Sequence, residues 1–518
     1  MSSYHRQHIE TVLVFFSLTM LLVLSSRTFG LTWDESIYFQ FSDSIRTWFL
    51  HDRSFDPETI AAYWSYSDYH NPHPPFMKIL GAISSHWLGD ALPYPTGYRL
   101  ANILYVSACL AVACRLLAPR FSTPAALAAI AFAAFQPRVF GHLLIAGTDS
   151  PVAMSWLVLT LIAWRLQQAP PGSRRMVLRI LLFFFLASAS ATKITGLLVV
   201  LPLAFYLLVH RNWREFAWLS GAAVFALLFV VAVWPPQWHH PLSGLAKYLW
   251  YPLTRSEMSI SAVYLDKIHQ FHLPWHYFLV MTAATVPVII FICLVGLFFI
   301  QRRDHHGLLR ALLFPVLFWL IIVHLPATPR HDGVRQFVSF YPLLGLLAWL
   351  GLLSLIHRLK PAFLFPSLLH PGRIIPGVAA IILFFQTATA HPYELSWYNV
   401  LMGGLPGAEK RGMEITYYLE AANQPFIRYI DPFLDNGATV QTHPPWPLLL
   451  QSYARHGLLT GNFSILSSEH AAPADYLLIF RRRGYVDDAF YKRLRPVAEV
   501  TCQGVSLVKF SRLKKESP

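Results

Sequence analysis

The sequence predicts an all-α polytopic membrane bundle of about 11 transmembrane helices, followed by a small C-terminal domain of mixed α/β structure. Hydrophobic residues make up 55% of the 518 residues and charged residues only 13%, which is about half of the charged fraction usual for soluble domains. Apolar stretches long enough, or nearly so, to cross about 30 Å of hydrocarbon recur along the first three quarters of the chain. Beyond them the composition changes, and strand-like runs alternate with helix-like ones.

Eleven apolar stretches are predicted to span the membrane. They are residues 11–29, 97–117, 122–138, 150–167, 178–193, 195–210, 216–234, 276–300, 310–325, 337–356 and 374–390. The stretch 75–90 is also apolar, but it begins with two prolines and is interrupted by Ser84, Ser85 and His86. If it does not cross, the basic tracts between the spans all lie on the side of the N-terminus, which is the positive-inside pattern. We therefore expect 75–90 to form an interfacial or re-entrant helix on the outer face.

Basic residues also set the predicted orientation. The net charge of +14 comes from Lys and Arg that fall mainly in short tracts between the apolar stretches, as topology determinants do. This distribution argues against nucleic-acid binding. It places the N-terminus in the cytoplasm, and it places the loops 30–96, 235–275 and 326–336 on the outer side.

The C-terminal region is predicted to form a separate extracytoplasmic domain, residues 396–518, after a transmembrane module of residues 1–395. The strand-like runs are Ala438–Thr442, Tyr476–Phe480, Val497–Cys502 and Val505–Phe510. The last two flank Gln503-Gly504 and resemble a hairpin.

Cysteine and histidine give no metal motif. Three of the four cysteines lie in apolar stretches, and no paired-cysteine spacing or HExxH pattern occurs. The sequence therefore predicts neither a disulfide framework nor a metal site built from these residues.

The first outer loop, residues 30–96, concentrates acidic side chains. The stretch Trp33–Lys78 holds seven of the 27 acidic residues. Asp34 and Glu35 follow the first span directly, where a water-soluble group can meet a lipid-borne one, and both are candidate catalytic residues. The alternative is that they cap a helix of the loop, because acidic residues favour helix N-termini.

Two further charged residues lie between predicted spans. Asp149 is a third candidate catalytic residue, because an aspartate near the bilayer must face a cavity, a partner or water. It can instead cap the next helix, with Pro151 in the first turn. Lys193 either faces the same cavity or extends its amine to the interface. The outer ends of the helices that carry Asp34, Asp149 and Lys193 are predicted to meet.

The loop Pro329–Gln336 is the densest basic cluster on the outer side. Because it violates the positive-inside tendency, it suggests an anionic partner, and arginine suits phosphate through its planar fork of donors. The alternative is that Arg330 or Arg335 pairs with Asp332 or with a lipid headgroup.

Several of these motifs occur in one order. They are Trp33-Asp34-Glu35, His73-Pro74-Pro75, the turn at Asp149 and Lys193-Ile194-Thr195-Gly196. Together they resemble the polytopic protein O-mannosyltransferases and, equally, the bacterial transferases that move aminoarabinose onto lipid A. Both groups have the C-type glycosyltransferase fold and use sugars attached to a polyprenyl phosphate. The resemblance covers residues 1–210 by motif and the whole apolar layout by topology.

The resemblance implies an integral protein of the bacterial inner membrane whose catalytic base is Asp34. It implies a polyprenyl-phosphate-linked sugar as donor, a hydroxyl group of a protein, lipid or glycan as acceptor, membrane lipids as neighbours, and Asp149 with basic residues around the carrier phosphate. It identifies no certain cofactor and leaves a divalent metal open.

The chain departs from the aminoarabinose-type pattern at two positions. An arginine expected three positions after Asp34 is Ile37 here, so phosphate must be bound elsewhere. The loop closes with His73-Pro74-Pro75 and lacks the acidic residue that precedes a lysine-proline in that pattern, so a metal at that place does not transfer. The predicted substrate-binding residues are His73, Lys78, Lys193, Arg330 and Arg335.

The expected reaction is a single displacement that inverts the anomeric centre. A carboxylate that accepts the proton of the acceptor hydroxyl typically contributes 10²–10⁴-fold, and cations stabilise the leaving phosphate. A hydrolase that uses Asp34 and Glu35 is the less favoured chemistry, because sequence neighbours rarely flank one bond from opposite sides. The alternatives from other classes are a transporter or flippase, which usually has repeated halves and broken helices, and a non-catalytic scaffold of an envelope complex.

Overall fold

Helices make up most of the structure, which is a computed structural model and describes residues 3–64, 73–89, 91–254, 260–300, 303–326, 328–359, 371–466 and 474–513. The α-helices before residue 400 are α1 (Ser3–Ser26), α2 (Trp33–Thr47), α3 (Pro57–Trp64), α4 (Phe76–Leu88), α5 (Thr96–Phe121), α6 (Thr123–Ala134), α7 (Pro137–Leu144), α8 (Asp149–Leu166), α9 (Ser173–Ser190), α10 (Ile194–Leu197), α11 (Val200–Val209), α12 (Trp213–Val233), α13 (Pro241–Thr254), α14 (Tyr277–Thr285), α15 (Val288–Leu294), α16 (Arg303–Ile322), α17 (Phe340–Leu359) and α18 (Pro371–Ala390). A short antiparallel hairpin, β1 (Ala262–Tyr264) and β2 (Lys267–His269), lies between α13 and α14.

The longest apolar helices are those of an integral membrane protein. Within the described ranges, five helices are long and apolar enough to cross a membrane, and counting two bent helix pairs as one span each raises the number to seven. The five are Gln7–Ser26, Thr96–Phe121, Trp213–Val233, His305–Ile322 and Phe340–Leu359. The predicted count of about 11 spans is not confirmed.

Prolines account for two of the differences between the predicted membrane spans and the helices of the structure. The predicted span 122–138 is the pair α6 and α7, bent by 83°, and the predicted span 276–300 is α14 followed by Val288–Phe299, bent by 104°. Pro137 begins α7 and Pro287 immediately precedes α15. Because proline lacks an N–H group and its ring clashes with the preceding turn, it ends or kinks a helix. Hydropathy detects an apolar run but not such a break within it.

Helix α4 corresponds to the apolar stretch 75–90 that was predicted not to cross. Its 13 residues extend for about 20 Å at 1.5 Å per residue, which is shorter than the hydrocarbon core of about 30 Å. It packs between α2 and α5 and buries Met77, Lys78 and Ala82. Asp90, at the end of the stretch, lies outside the described residues.

The C-terminal region contains a five-stranded sheet. Its elements are α19 (Gly404–Lys410), α20 (Gln424–Ile430), β3 (Ala438–His443), α21 (Pro447–Arg455), β4 (Phe463–Ile465), β5 (Tyr476–Phe480), α22 (Asp488–Arg493), β6 (Pro496–Cys502) and β7 (Val505–Arg512). The strand order is β4-β3-β5-β7-β6, with β3 parallel to β4 and β5, and β7 antiparallel to β5 and β6. All four predicted strand runs are strands; the three-residue β4 was too short to predict.

This sheet domain contacts the start of α2 directly. The Leu31 amide donates to the Tyr453 hydroxyl at 2.8 Å, and the Trp446 indole donates to the Ser36 hydroxyl at 3.0 Å. Tyr453 belongs to α21, and Trp446 precedes it. The C-terminal domain and the helix that carries Asp34 therefore meet on the same side of the bundle.

Candidate active site

Helix α2 begins at a capping box that fixes the position of Asp34. The Thr32 hydroxyl accepts from the Glu35 amide at 3.3 Å, and a Glu35 carboxylate oxygen accepts from the Thr32 amide at 3.0 Å. Such a reciprocal cap satisfies backbone donors that the first helical turn leaves unpaired. The capping alternative is thus correct for Glu35, while Asp34 projects from the first turn.

Glu35 is also the partner of a buried arginine. The Arg99 guanidinium donates to both of its carboxylate oxygens at 2.7 Å, and the Ala146 amide donates to one of them at 2.9 Å. Both side chains are fully buried. Glu35 therefore ties α2 to α5 and to the turn before α8, and this geometry gives it a structural role beside Asp34.

Asp34 belongs to a cluster of alternating charges. The Arg335 guanidinium donates to a carboxylate oxygen of Asp34, and it also donates to Asp149 at 2.9 Å. The Lys193 amine donates to the other oxygen of Asp149 at 2.5 Å. The structure thus brings together four predicted site residues from α2, from the N-termini of α8 and α10, and from the loop before α17.

Asp332 and Arg482 complete this cluster. Arg335 approaches Asp332 at 3.5 Å, and Arg482 donates to the other oxygen of Asp332 at 2.8 Å. Burial raises the pKa of Asp332, but the positive charge of Arg482 and the adjacent His331, which hydrogen-bonds to Asp332, outweigh it and hold this pKa well below its usual range. The cluster contains three carboxylates and three cations, so its formal charges balance.

Two adjoining cavities open beside the cluster. The first, which we call the polar cavity, is lined by Asp34, Asp149, Arg335, Tyr418, His142 and Ser150, among others. The second, the aromatic cavity, is lined by Tyr38, Phe39, Met77, Lys78, Tyr98 and Asn102, among others. Gly147 lines both cavities, so they meet at the turn before α8.

Lys78 differs from the other cations in its partners. Its amine donates to the His73 carbonyl at 3.0 Å and lies 5.0 Å from the centre of the Tyr38 ring and 5.2 Å from that of Phe41. Burial lowers the pKa of Lys78, and the negative charge of Asp34 partly opposes this effect. His73 thus contributes its carbonyl group to holding Lys78.

Arg330 makes different contacts from Arg335. Its guanidinium donates to the carbonyl groups of Leu273 at 3.2 Å and Leu325 at 2.9 Å. These bonds attach the loop to neighbouring backbone. The contacts therefore assign Arg330 to loop structure. Of the two arginines that were the alternatives for pairing with Asp332, Arg335 makes this contact, at 3.5 Å.

The residue that sequence reasoning missed is Arg482. It is the second of three arginines after the predicted strand Tyr476–Phe480, and nothing in that pattern distinguishes it from its neighbours. Tyr418, whose ring centre lies 5.5 Å from the Arg335 guanidinium, was missed for the same reason, because it comes from a loop without a motif. Within the described part of the chain, no group of three or more His, Cys, Asp or Glu side chains is arranged to hold a metal ion.

Glu420 lies in the turn that carries Tyr418 and is completely buried. One carboxylate oxygen accepts from the Tyr418 amide at 3.0 Å, and the other makes no hydrogen bond with the described residues. Burial raises the pKa of Glu420 from 4.5 to about 7. Because the folded pKa is the higher one, the associated stability is fully present below about pH 4.5 and is lost as the pH rises to about 7.

Replacing Glu420 by glutamine should therefore stabilise the protein above pH 7. A pKa difference between 4.5 and about 7 corresponds to ~3 kcal/mol. We expect the Gln variant to unfold at a higher temperature at pH 8 and to lose most of the difference at pH 4.5, as measured by thermal unfolding in detergent. The control is Glu499→Gln, at an exposed position on β6. Parallel pH curves for the parent and Glu420→Gln would contradict the prediction.

The bundle and its charged cluster define a class: a membrane enzyme whose candidate site lies at the ends of its helices, beneath an attached sheet domain. A family model described as dolichyl-phosphate-mannose-protein mannosyltransferase matches residues 72–235. The resemblance inferred from the motifs is thereby confirmed over those residues, and with it the prediction of a glycosyltransferase.

Solved structures with a similar chain path include two glycosyltransferases. ArnT from Cupriavidus metallidurans, in the apo state, superposes with a TM-score of 0.48 at 15% identity and covers 96% of this chain and 97% of its own. The archaeal oligosaccharyltransferase AglB from Archaeoglobus fulgidus, in complex with an inhibitory peptide and a dolichol-phosphate, gives a TM-score of 0.45 at 11% identity, covering 98% of this chain and 75% of its own. A comparison with curated protein sequences gave no match.

Proposed function

We propose that this protein transfers a sugar from a polyprenyl-phosphate carrier to a hydroxyl acceptor, with Asp34 as general base. The observation that carries the proposal is that Asp34 lines the polar cavity and Lys78 lines the aromatic cavity, two cavities that share Gly147 in their lining. A base and a cation on neighbouring elements of one loop supply the two functions that the displacement needs. The family match, whose description names a dolichyl-phosphate-linked sugar, supports the choice of donor.

Asp34 is the carboxylate that an acceptor reaches most easily. Its side chain is 26% exposed, against 12% for Asp149 and 0% for Asp332. A general base must come within hydrogen-bond reach of the proton that it accepts. We therefore assign the base to Asp34, and we assign Asp149 to orienting Arg335 and Lys193.

Lys78 is the best candidate for the leaving phosphate. Arg335 and Lys193, which the sequence favoured for this role, both donate to carboxylates of the cluster. The described contacts of Lys78 are a carbonyl group and two aromatic rings, which do not neutralise its charge. A buried phosphate requires a compensating cation. We therefore rank Lys78 above Arg335 and Lys193 as the residue that binds the leaving phosphate.

The proposed reaction is one displacement at the anomeric carbon. The acceptor oxygen forms a bond to that carbon while the bond from the carbon to the phosphate oxygen breaks. The hydroxyl proton passes to the Asp34 carboxylate, and the electron pair of the broken bond stays on the phosphate, next to Lys78. A single displacement inverts the configuration of the sugar.

Release of the free carrier tests this function. The purified protein in lipid nanodiscs is supplied with a panel of undecaprenyl-phosphate-linked sugars and with bacterial envelope extract as acceptor, and undecaprenyl phosphate is measured. We expect release with at least one sugar, and product with the inverted configuration. No release with any sugar would overturn the proposal.

A transporter or flippase is the alternative. One observation favours it: two helix pairs are bent by 83° and 104°, and broken helices are common in transporters. The charged cluster, however, lies at the helix ends rather than at the bends. Movement of an undecaprenyl-phosphate-linked sugar across a liposome membrane without release of the carrier would favour the alternative.

We further propose that the site and the C-terminal domain face the outside of a bacterial inner membrane, with the N-terminus in the cytoplasm. The basic tracts between the apolar stretches support this orientation. A membrane-impermeant maleimide should label Ser464→Cys but not Ser173→Cys in intact spheroplasts, both positions being exposed. The half-buried Cys502 is first replaced by serine. Labelling of both positions from the same side would contradict the orientation.

A further inference from the structure

We infer that Arg482 of the C-terminal domain is a positioning residue for Asp34. The inference rests on the proposed function, because it assigns to the sheet domain a part in the reaction at Asp34. It concerns a residue that lies about 450 positions away in sequence and, in the described structure, contacts neither cavity.

Arg482 is buried at the junction between the sheet domain and the membrane helices. Its side chain is 1% exposed, and it is the second residue after β5. One guanidinium nitrogen donates to Asp332 at 2.8 Å, and another donates to the Tyr417 carbonyl at 2.5 Å. The guanidinium also lies 4.1 Å from the centre of the Trp33 ring, in the range of a cation–π contact.

These contacts close a ring through the candidate base. Arg482 binds Asp332, Asp332 faces Arg335, and Arg335 binds Asp34. On the other side Arg482 covers Trp33, which is the residue before Asp34 in the chain. We call this closed path the Arg482 ring. Arg335, which holds the side chain of Asp34, is linked to Arg482 through Asp332, and Trp33, which precedes Asp34 in the backbone, contacts Arg482 directly.

The two neighbouring arginines point elsewhere. Arg481 pairs with Asp488 at 2.8 Å and with Glu409 at 2.6 Å, both in the C-terminal region. Arg483 pairs with the exposed Asp266 of the β1–β2 hairpin at 3.0 Å. Among these three arginines, Arg482 is the one that contacts the charged cluster.

A contribution to stability alone does not account for this arrangement. A buried ion pair is often no more stabilising than apolar side chains of the same volume, because desolvation offsets the attraction between the charges. What the pair supplies is a fixed geometry. Here the fixed groups are Arg335, which binds Asp34, and Trp33, which precedes it in the chain.

Loss of Arg482 should therefore lower turnover more than donor binding. Without it, Asp332 has Arg335 as its nearest cation of fixed charge, and the attraction draws Arg335 away from Asp34. The Trp33 ring loses its cation–π contact with Arg482 at the same time. Displacement of a reacting group by about 1 Å can reduce the rate about 100-fold, while Lys78 and the aromatic cavity are unchanged.

The test compares three variants of the full-length protein. Arg482→Gln alone leaves Asp332 buried and uncompensated, so it can fail to fold. The double variant Arg482→Gln/Asp332→Asn removes both charges, which avoids that problem. In this variant Arg335 is not drawn towards residue 332, so the loss of kcat comes from the missing ring itself: Trp33 loses its contact with Arg482, and Arg335 loses its link to the sheet domain. Arg483→Gln is the matched control, because it removes an adjacent arginine outside the ring.

Three quantities are measured for each variant: the dissociation constant for undecaprenyl phosphate, kcat for release of that carrier from the sugar donor used by the parent, and amide hydrogen exchange of residues 31–36. For the folded double variant we expect an unchanged dissociation constant, a kcat lowered about 10- to 100-fold, and faster exchange in this segment. For Arg483→Gln we expect parent values throughout.

Parent-like kcat in the folded double variant would overturn the inference, since Arg482 would then only balance the charge of Asp332. An equal loss in Arg483→Gln would also overturn it. If the parent releases no carrier from any donor, the proposed function fails and hydrogen exchange decides about the ring. Faster exchange confined to residues 31–36 then supports the ring, and unchanged exchange refutes it.

Discussion

Replacing Asp34 by asparagine is expected to lower kcat by about 100-fold or more and to leave the protein folded. Asparagine has the same shape but cannot accept the proton of the acceptor hydroxyl, and general-base catalysis typically contributes 10²–10⁴-fold. Folding should survive because Arg335 keeps Asp149 and Asp332 as partners. The measurement is the rate of carrier release in nanodiscs, together with thermal unfolding of the same preparation.

Asp52→Asn is the control for this variant. Asp52 ends the short helical turn Trp48–Asp52 that follows α2, and it is exposed. It lies outside the charged cluster and lines neither cavity, so its loss should leave kcat within about twofold of the parent. If purified Asp34→Asn protein turned over at nearly the parent rate, Asp34 could not be the general base.

Replacing Lys78 by glutamine is expected to weaken binding of undecaprenyl phosphate by about 10- to 100-fold. A hydrogen bond to a charged group is worth about 1.5–3 kcal/mol, and the phosphate would lose its nearest uncompensated cation. The dissociation constant is measured by native mass spectrometry or fluorescence titration, with Lys247→Gln on the exposed side of α13 as the control for loss of one positive charge. If the Lys78→Gln protein bound undecaprenyl phosphate with unchanged affinity, Arg335 and Lys193 would again be the candidates for binding the phosphate.

Much of the fold could be predicted because it depends on local composition. Apolar runs identified the membrane helices, and alternation with turn residues identified the strands β3, β5, β6 and β7. The predicted number of about 11 spans is not confirmed, and two of the differences have a physical reason: Pro137 and Pro287 bend helices within apolar runs that hydropathy counts as single.

The candidate site was predictable where charged residues follow or separate predicted spans, or where a basic loop breaks the positive-inside tendency. Asp34 and Glu35 stood out directly after the first span, Asp149 because charge is costly near a bilayer, and Arg335 because its loop is basic on the predicted outer side. The partner of Glu35, Arg99, lies inside α5, and no local pattern reveals such a long-range pair. Arg482 was invisible in sequence, because its role depends on how the sheet domain packs on α2 and on the loop that carries Asp332.

The Arg482 ring also determines when, during synthesis of the chain, the candidate site becomes complete. Ribosomes synthesise α2, α8 and the Arg335 loop well before β5, so a growing chain holds Asp34, Asp149 and Arg335 while Arg482 is still missing. On the inference that Arg482 positions Asp34, the newly inserted helices lack a complete catalytic arrangement until the sheet has folded. Folding of the last domain then raises turnover about 10- to 100-fold, and unfinished chains in the membrane consume lipid-linked sugar correspondingly more slowly.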